Sequence, residues 1–96
     1  MTTIERSKLI AILARRQDWK CSVCGKPLAN SGPLEVAHRI PRGRIVRLVG
    51  KAAEWDIDAV ELVCTRRGKT CNDAALLPIG VARDDLIKRL KEKYSE

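Results

Sequence analysis

Phenylalanine is absent from this 96-residue chain; tyrosine and histidine occur once each, and tryptophan twice. With so few rings, the core must come from Ile, Leu, Val and Ala. A domain of this length is only marginally stabilised by its core, so a metal or disulfide staple is common at this size. No apolar run approaches the roughly 20 residues needed to span a bilayer, and no membrane partner is expected. The opening residues, Met1 to Arg6, lack the apolar run of a signal peptide, which favours a cytoplasmic setting. Internal repeats, low-complexity tracts and linkers are also missing. Residues 1–96 therefore read as a single domain.

Acidic residues are scarce where basic ones gather. The net charge is +7, from 19 Lys and Arg against 12 Asp and Glu. Between Val36 and Ala53 there is no acid at all, while Arg39, Arg42, Arg44, Arg47 and Lys51 fall in that stretch. Arg66, Arg67 and Lys69 form a second group just before Cys71. A basic balance of this kind on a small domain suits a polyanionic partner, of which nucleic acid is the commonest. The basic side chains would meet backbone phosphates, which position a duplex without reading its sequence.

Four cysteines stand as Cys21-x2-Cys24 and Cys64-x6-Cys71. They admit two disulfides or one metal. A reducing compartment keeps thiols free, and a Cys-x2-Cys pair clips a single tetrahedral zinc better than it serves two separate bridges. Zinc is the favoured reading. Gly25 follows the first pair, where a knuckle usually needs a positive φ.

In chain order, Thr2-x-x-Glu5 reads as a capping box opening a helix over 3–17, with Ile4, Leu9, Ile12 and Leu13 on its apolar face. A turn at Asn30 to Pro33 precedes a strand from Leu34 to Ile40. Its alternation sets Leu34, Val36 and His38 on one face and Glu35, Ala37 and Arg39 on the other. Residues 42–50 fit a helix closed by Gly50, although their β-branching also suits a strand. A second strand runs from Ala59 to Cys64, and a short helix from Cys71 or Asn72 through Leu77. The last helix begins around Val81 to Asp84 and lines up Leu86, Ile87, Leu90 and Tyr94, with Asp84 and Asp85 at the positive end of its dipole.

Taken together, Cys-x2-Cys-Gly, a strand carrying Glu35-Val36-Ala37-His38-Arg39-Ile40-Pro41, a strand into Cys64 and then Cys71-Asn72 at a helix start resemble the HNH endonuclease family. The resemblance covers about Trp19 to Leu77. It implies an α+β fold, a zinc-stapled, treble-clef-like ββα-metal domain flanked by N- and C-terminal helices. It also implies DNA as substrate, a structural zinc on Cys21, Cys24, Cys64 and Cys71, and Mg2+ or a similar divalent cation at the cut. His38 matches the general base and Asn72 a ligand of the catalytic ion. The family's acidic or histidine ligand before the base is Ala37 here, its middle Asn falls near Glu61, and the second cysteine pair is stretched. A substitute carboxylate would come from Asp56 or Asp58, ahead of Glu61 and Asp73.

Each residue also has a plainer role open to it. His38 could be an ordinary strand histidine or a zinc ligand, Asn72 an N-cap, and each acid a solvated surface group. Three functions follow: a metal-dependent endonuclease, a catalytically silent module that binds nucleic acid, or a zinc-stapled domain that meets an acidic protein. Ala37 favours the second over the first. The presence of both His38 and Asn72 favours the first.

Overall fold

Thr2 caps the first helix as the sequence predicts. Its Oγ1 accepts from the Glu5 amide at 3.1 Å, satisfying one of the N–H groups that a helix start leaves unpaired. In the computed structural model, which describes residues 2–29, 32–66, 68 and 70–95, α1 spans Thr3–Arg16. Its buried edge is Leu13 and Ala14, whereas Ile4 and Ile12 stay exposed. The apolar face is thus narrower than its spacing suggests, because only the C-terminal half of α1 reaches the sheet. The chain then turns through Asp18 and Trp19, both at positive φ (55° and 56°), a conformation uncommon outside glycine.

β1 (Glu35–His38) pairs antiparallel with β2 (Val60–Val63), placing Ala37 opposite Glu61 and His38 opposite Val60. Both strands fall inside the expected spans. The predicted alternation holds, but Ala37 is the member pressed into the core, with 1% exposure, and the other three residues of β1 are half-buried. On the outer edge of β2, the Gln17 side chain acts as a surrogate peptide group. Its Nε2 donates to the Leu62 carbonyl at 2.7 Å and its Oε1 accepts from the Leu62 amide at 2.8 Å.

Between the strands lie α2 (Arg42–Leu48) and an unanticipated single turn of 3-10 helix, Lys51–Ala53, entered through Gly50 at φ 135°. α2 confirms helix over strand for this stretch, with Ile45 as its buried residue. α3 (Thr70–Ala74) is shorter than the expected run to Leu77, because the Leu77 amide instead donates to the Arg39 carbonyl at 2.8 Å. α4 (Val81–Tyr94) follows as predicted, burying Leu86 and Leu90.

The described residues form a small α+β domain of one two-stranded antiparallel sheet and four α-helices. Two apolar clusters support it. The larger joins α1, both strands and three of the cysteines; the smaller packs Ile40, Ile45, Ala53 and Ala59 against Leu86 and Leu90 of α4. Among the described residues, no helix is long and apolar enough to cross a membrane.

Candidate functional site

Cys21 and Cys24 sit on the turn that follows α1, Cys64 at the end of β2 and Cys71 in α3. The first turn forms because Gly25, at φ +74°, supplies the left-handed conformation and donates its amide to the Cys21 carbonyl at 3.0 Å. All four cysteines are free, and their Sγ atoms lie within 4.8 Å of one another. Cys24 to Cys64 is 3.7 Å and Cys64 to Cys71 is 3.9 Å. Tetrahedral zinc with Zn–S bonds of 2.3 Å requires sulfurs about 3.8 Å apart. The cluster can hold a metal ion and is compatible with zinc.

Electrostatics set Cys21 and Cys71 apart within the cluster. Burial alone would raise the Cys21 thiol, but hydrogen bonds from the Cys24, Cys64 and Val23 backbone outweigh it and lower it to about 6. Burial pushes Cys71 up to about 12, with the neighbouring sulfurs adding to the rise. A bound dication offsets the repulsion that otherwise keeps the last proton on.

His38, at the end of β1, lies in a second site. A carbonyl can only accept, so the contact of 2.8 Å between His38 Nε2 and the Glu54 carbonyl fixes the proton on Nε2 and leaves Nδ1 as an acceptor. Burial holds the imidazole below its ordinary pKa of 6.5, and nearby Arg42 adds to this, against the opposing pull of Glu54. The ring also meets Trp55 edge-on, with centroids 4.7 Å apart and planes at 62°. Arg42, at the start of α2, places its guanidinium 4.9 Å from the Trp55 centroid and forms an ion pair with Glu54. That hydrogen bond keeps the Glu54 carboxyl below the usual carboxylate range. His38, Arg42 and Trp55 line a cleft of about 310 Å³ together with Val36, Asn72 and Leu76. A larger hollow of about 670 Å³ shares Arg42 and Trp55 with this cleft but includes neither His38 nor Asn72.

Asn72 and His38, 34 positions apart in sequence, therefore share one cleft because α3 packs on β1. Asn72 Nδ2 donates to Glu35 Oε2 at 2.7 Å. Asp56 and Asp58 are engaged elsewhere. Asp56 is 5% exposed; it accepts from Tyr94 Oη at 2.6 Å and from the Asp58 amide at 2.8 Å, and pairs with Lys93 at 2.8 Å. Burial would raise its carboxyl, yet these partners hold it below the ordinary value. Asp58 pairs with Arg16 and Lys93. Both acids thus tie α4 and α1 to the loop before β2. Glu61 accepts from Ser22 Oγ at 2.9 Å, and Asp73 is exposed. Among the described residues, the only converging group of three or more His, Cys, Asp or Glu ligands is the cysteine set.

The basic residues divide in the same way. Arg42, Arg44 and Arg47 are exposed on α2. Arg39 is turned inward, with its guanidinium Nε 3.4 Å from Glu61 and its Nη1 3.4 Å from the Asp58 carbonyl. Arg66 donates to the Pro27 carbonyl at 2.8 Å, fastening the loop before Cys71 to the first cysteine turn. Arg67 and Lys69 lie outside the described residues. One cleft residue, Trp55, and the partner of another, Glu35, had no sequence signal of their own. Trp55 looks like any core aromatic until α2 brings Arg42 over it. Glu35 emerges only from strand register, two places before Ala37 and on the same face. Comparison with protein families, with curated proteins and with solved structures returned no match.

Proposed function

We propose that this chain is a DNA endonuclease of the HNH type that hydrolyses phosphodiester bonds, with zinc as a structural staple. The observation that carries the reading is the hydrogen bond of 2.8 Å from His38 Nε2 to the Glu54 carbonyl. It leaves a neutral imidazole with a free Nδ1 beside an arginine, which is what a general base for a phosphodiester requires. Two strands followed by a helix, with one cysteine pair before the strands and the other at the end of β2 and in α3, support the ββα-metal arrangement the motifs imply. The exposed arginines of α2 supply phosphate contacts next to the cleft.

In this reading, water attacks the phosphorus while His38 Nδ1 takes its proton. The new bond is O–P and the bond that breaks is P–O3′, so the products are a 5′ phosphate and a 3′ hydroxyl, the departing oxygen taking a proton from solvent. A hard divalent cation such as Mg2+ needs oxygen ligands and is commonly held by one or two carboxylates plus substrate phosphate and water. Asn72 lines the cleft and is the side chain there that could offer such an oxygen; its Nδ2 is engaged by Glu35, and Asp56 and Asp58 are committed to Lys93, Tyr94 and Arg16. Bound there, the cation would stabilise charge on the phosphate and on the departing oxygen.

Ala37 favours a second reading, a module that binds nucleic acid without cutting it. Its burial among Leu13, Leu62 and the cysteines leaves no ligand at that position. Supercoiled plasmid incubated with the protein and Mg2+, Mn2+ or Ni2+ separates the two. Nicking that depends on the metal and disappears in His38→Ala supports the enzyme. Equal traces with both proteins, alongside salt-sensitive DNA binding, leave the binding module.

A further inference from the structure

The HNH resemblance gives no role to the Arg42–Trp55–His38 contact. Three observations converge on Arg42. Its guanidinium lies 4.9 Å from the Trp55 ring centroid, and His38 packs edge-on against that same ring. The Glu54 side chain ion-pairs with Arg42 while the Glu54 backbone carbonyl holds His38. Finally, Arg42 lines the same cleft as His38 and Asn72. One residue and one ring therefore fix the base and the cation relative to each other.

A guanidinium carries five N–H donors in a rigid fork. The Glu54 carboxylate engages Nη2, so donors remain for a second anion. An arginine kept only for stability would be expected to spend its donors on the protein. Arg39 is drawn inward, its Nη1 donating to the Asp58 carbonyl and its Nε, 3.4 Å from Glu61, buried without a hydrogen-bond partner. Arg42 is instead exposed, yet held by an indole face and a carboxylate, which limits its loss of side-chain freedom when an anion arrives.

We propose that Arg42 is a catalytic residue that binds the non-bridging oxygens of the scissile phosphate and stabilises the charge they gain as water attacks, with Trp55 and Glu54 as its positioning residues. This rests on the nuclease reading above. It distinguishes Arg42 from Arg44 and Arg47, which serve as contacts to flanking phosphates. The fork would supply the fixed positive charge that the missing ligand at Ala37 leaves in short supply. Groups aimed in advance at developing charge commonly account for a factor of about 100 to 1000 in rate.

The test measures single-turnover cleavage of a labelled DNA duplex at saturating protein, beside equilibrium binding of the same duplex without the metal. The proteins are wild type, His38→Ala, Arg42→Ala, Arg42→Lys and Glu54→Gln. Arg42→Ala is expected to cleave about 100-fold more slowly at saturation, with free guanidinium restoring part of the rate. Arg42→Lys, which keeps the charge but loses the fork, should fall between. Glu54→Gln keeps the carbonyl that holds His38 but removes a carboxylate that favours its charged form, and should slow cleavage while moving the pH midpoint of the base down, not up. Should Arg42→Ala fail to fold, the lysine and glutamine variants still decide. If the Arg42 variants cleave at the wild-type rate once saturated and lose only affinity, the inference is overturned and the nuclease reading stands. If wild type and His38→Ala share the same background, the nuclease reading fails and takes this inference with it.

Discussion

Removing a zinc bound at the four-cysteine cluster should unfold most of the protein. A structural zinc on thiolates contributes about 10–16 kcal/mol of apparent binding free energy at neutral pH. At about 0.05–0.15 kcal/mol per residue, a domain of this length has a total stability of about 5–14 kcal/mol. The ion's contribution is thus comparable to the whole. The structure explains why its loss is not confined to one loop. Cys21, Cys64 and Cys71 are members of the larger apolar cluster, packed with Leu13, Ala37 and Leu62, and they join three segments of chain. Without a cation, burial and the neighbouring sulfurs keep the proton on Cys71. The assay is metal analysis of the purified protein, then thermal melts by circular dichroism with and without a strong chelator. About one zinc per chain and loss of the cooperative melt on chelation are expected. Ligand thiols must ionise, so the chelator concentration at half-unfolding should also fall as pH falls. A metal-free protein with an unchanged melt would refute the argument.

The cleavage rate should rise with pH along an acid limb whose midpoint lies below 6.5, since burial favours neutral His38 and only the neutral form can accept a proton; a midpoint above the ordinary histidine value would count against the environment described. Asp56→Ala strands Tyr94 Oη, the Asp58 amide and Lys93, and should cost about 2–4 kcal/mol in urea unfolding. Because the Asp56 carboxyl lies below its ordinary value of 3.8 when folded, its contribution is complete above that pH and is lost as pH falls through the lowered value. The variant's deficit should therefore shrink in strong acid. Replacing Arg47 should reduce the slope of log K against log salt by about one phosphate's share. Arg39→Lys should instead lower the melting temperature and leave that slope nearly unchanged.

Much of the fold was legible because its signals are local. The Thr2 cap, the 3.6-residue spacing of α4 and the alternation across β1 need no information from elsewhere in the chain. The cysteine cluster was legible for a related reason, since metal chemistry restricts both residue type and spacing. The partners of Asp56 and Asp58 were not legible in the same way. Asp56 and Asp58 carry the right group at a plausible distance from His38 in sequence, but Lys93, Tyr94 and Arg16 come from the two ends of the chain. Nothing near residue 56 announces them. Arg39 and Arg42 look equivalent in a basic run, yet one is drawn toward β2 and the other lies over Trp55. The difference arises from which side of Pro41 each occupies, before or after the chain turns into α2.

A two-stranded sheet has two open margins, and each margin invites another chain to pair with it. On β2 that invitation is withdrawn by Gln17, whose amide occupies both the donor and the acceptor of Leu62. The Ser22 amide also reaches the Leu62 carbonyl, at 3.3 Å. The sheet stops at two strands because a side chain from the end of α1 has been spent as its border. Losing that border would expose a short apolar strand, Val60 to Val63, as a template for self-association. Gln17 thus closes the Leu62 position of this margin to another chain, a role separate from both the cysteine cluster and the cleft.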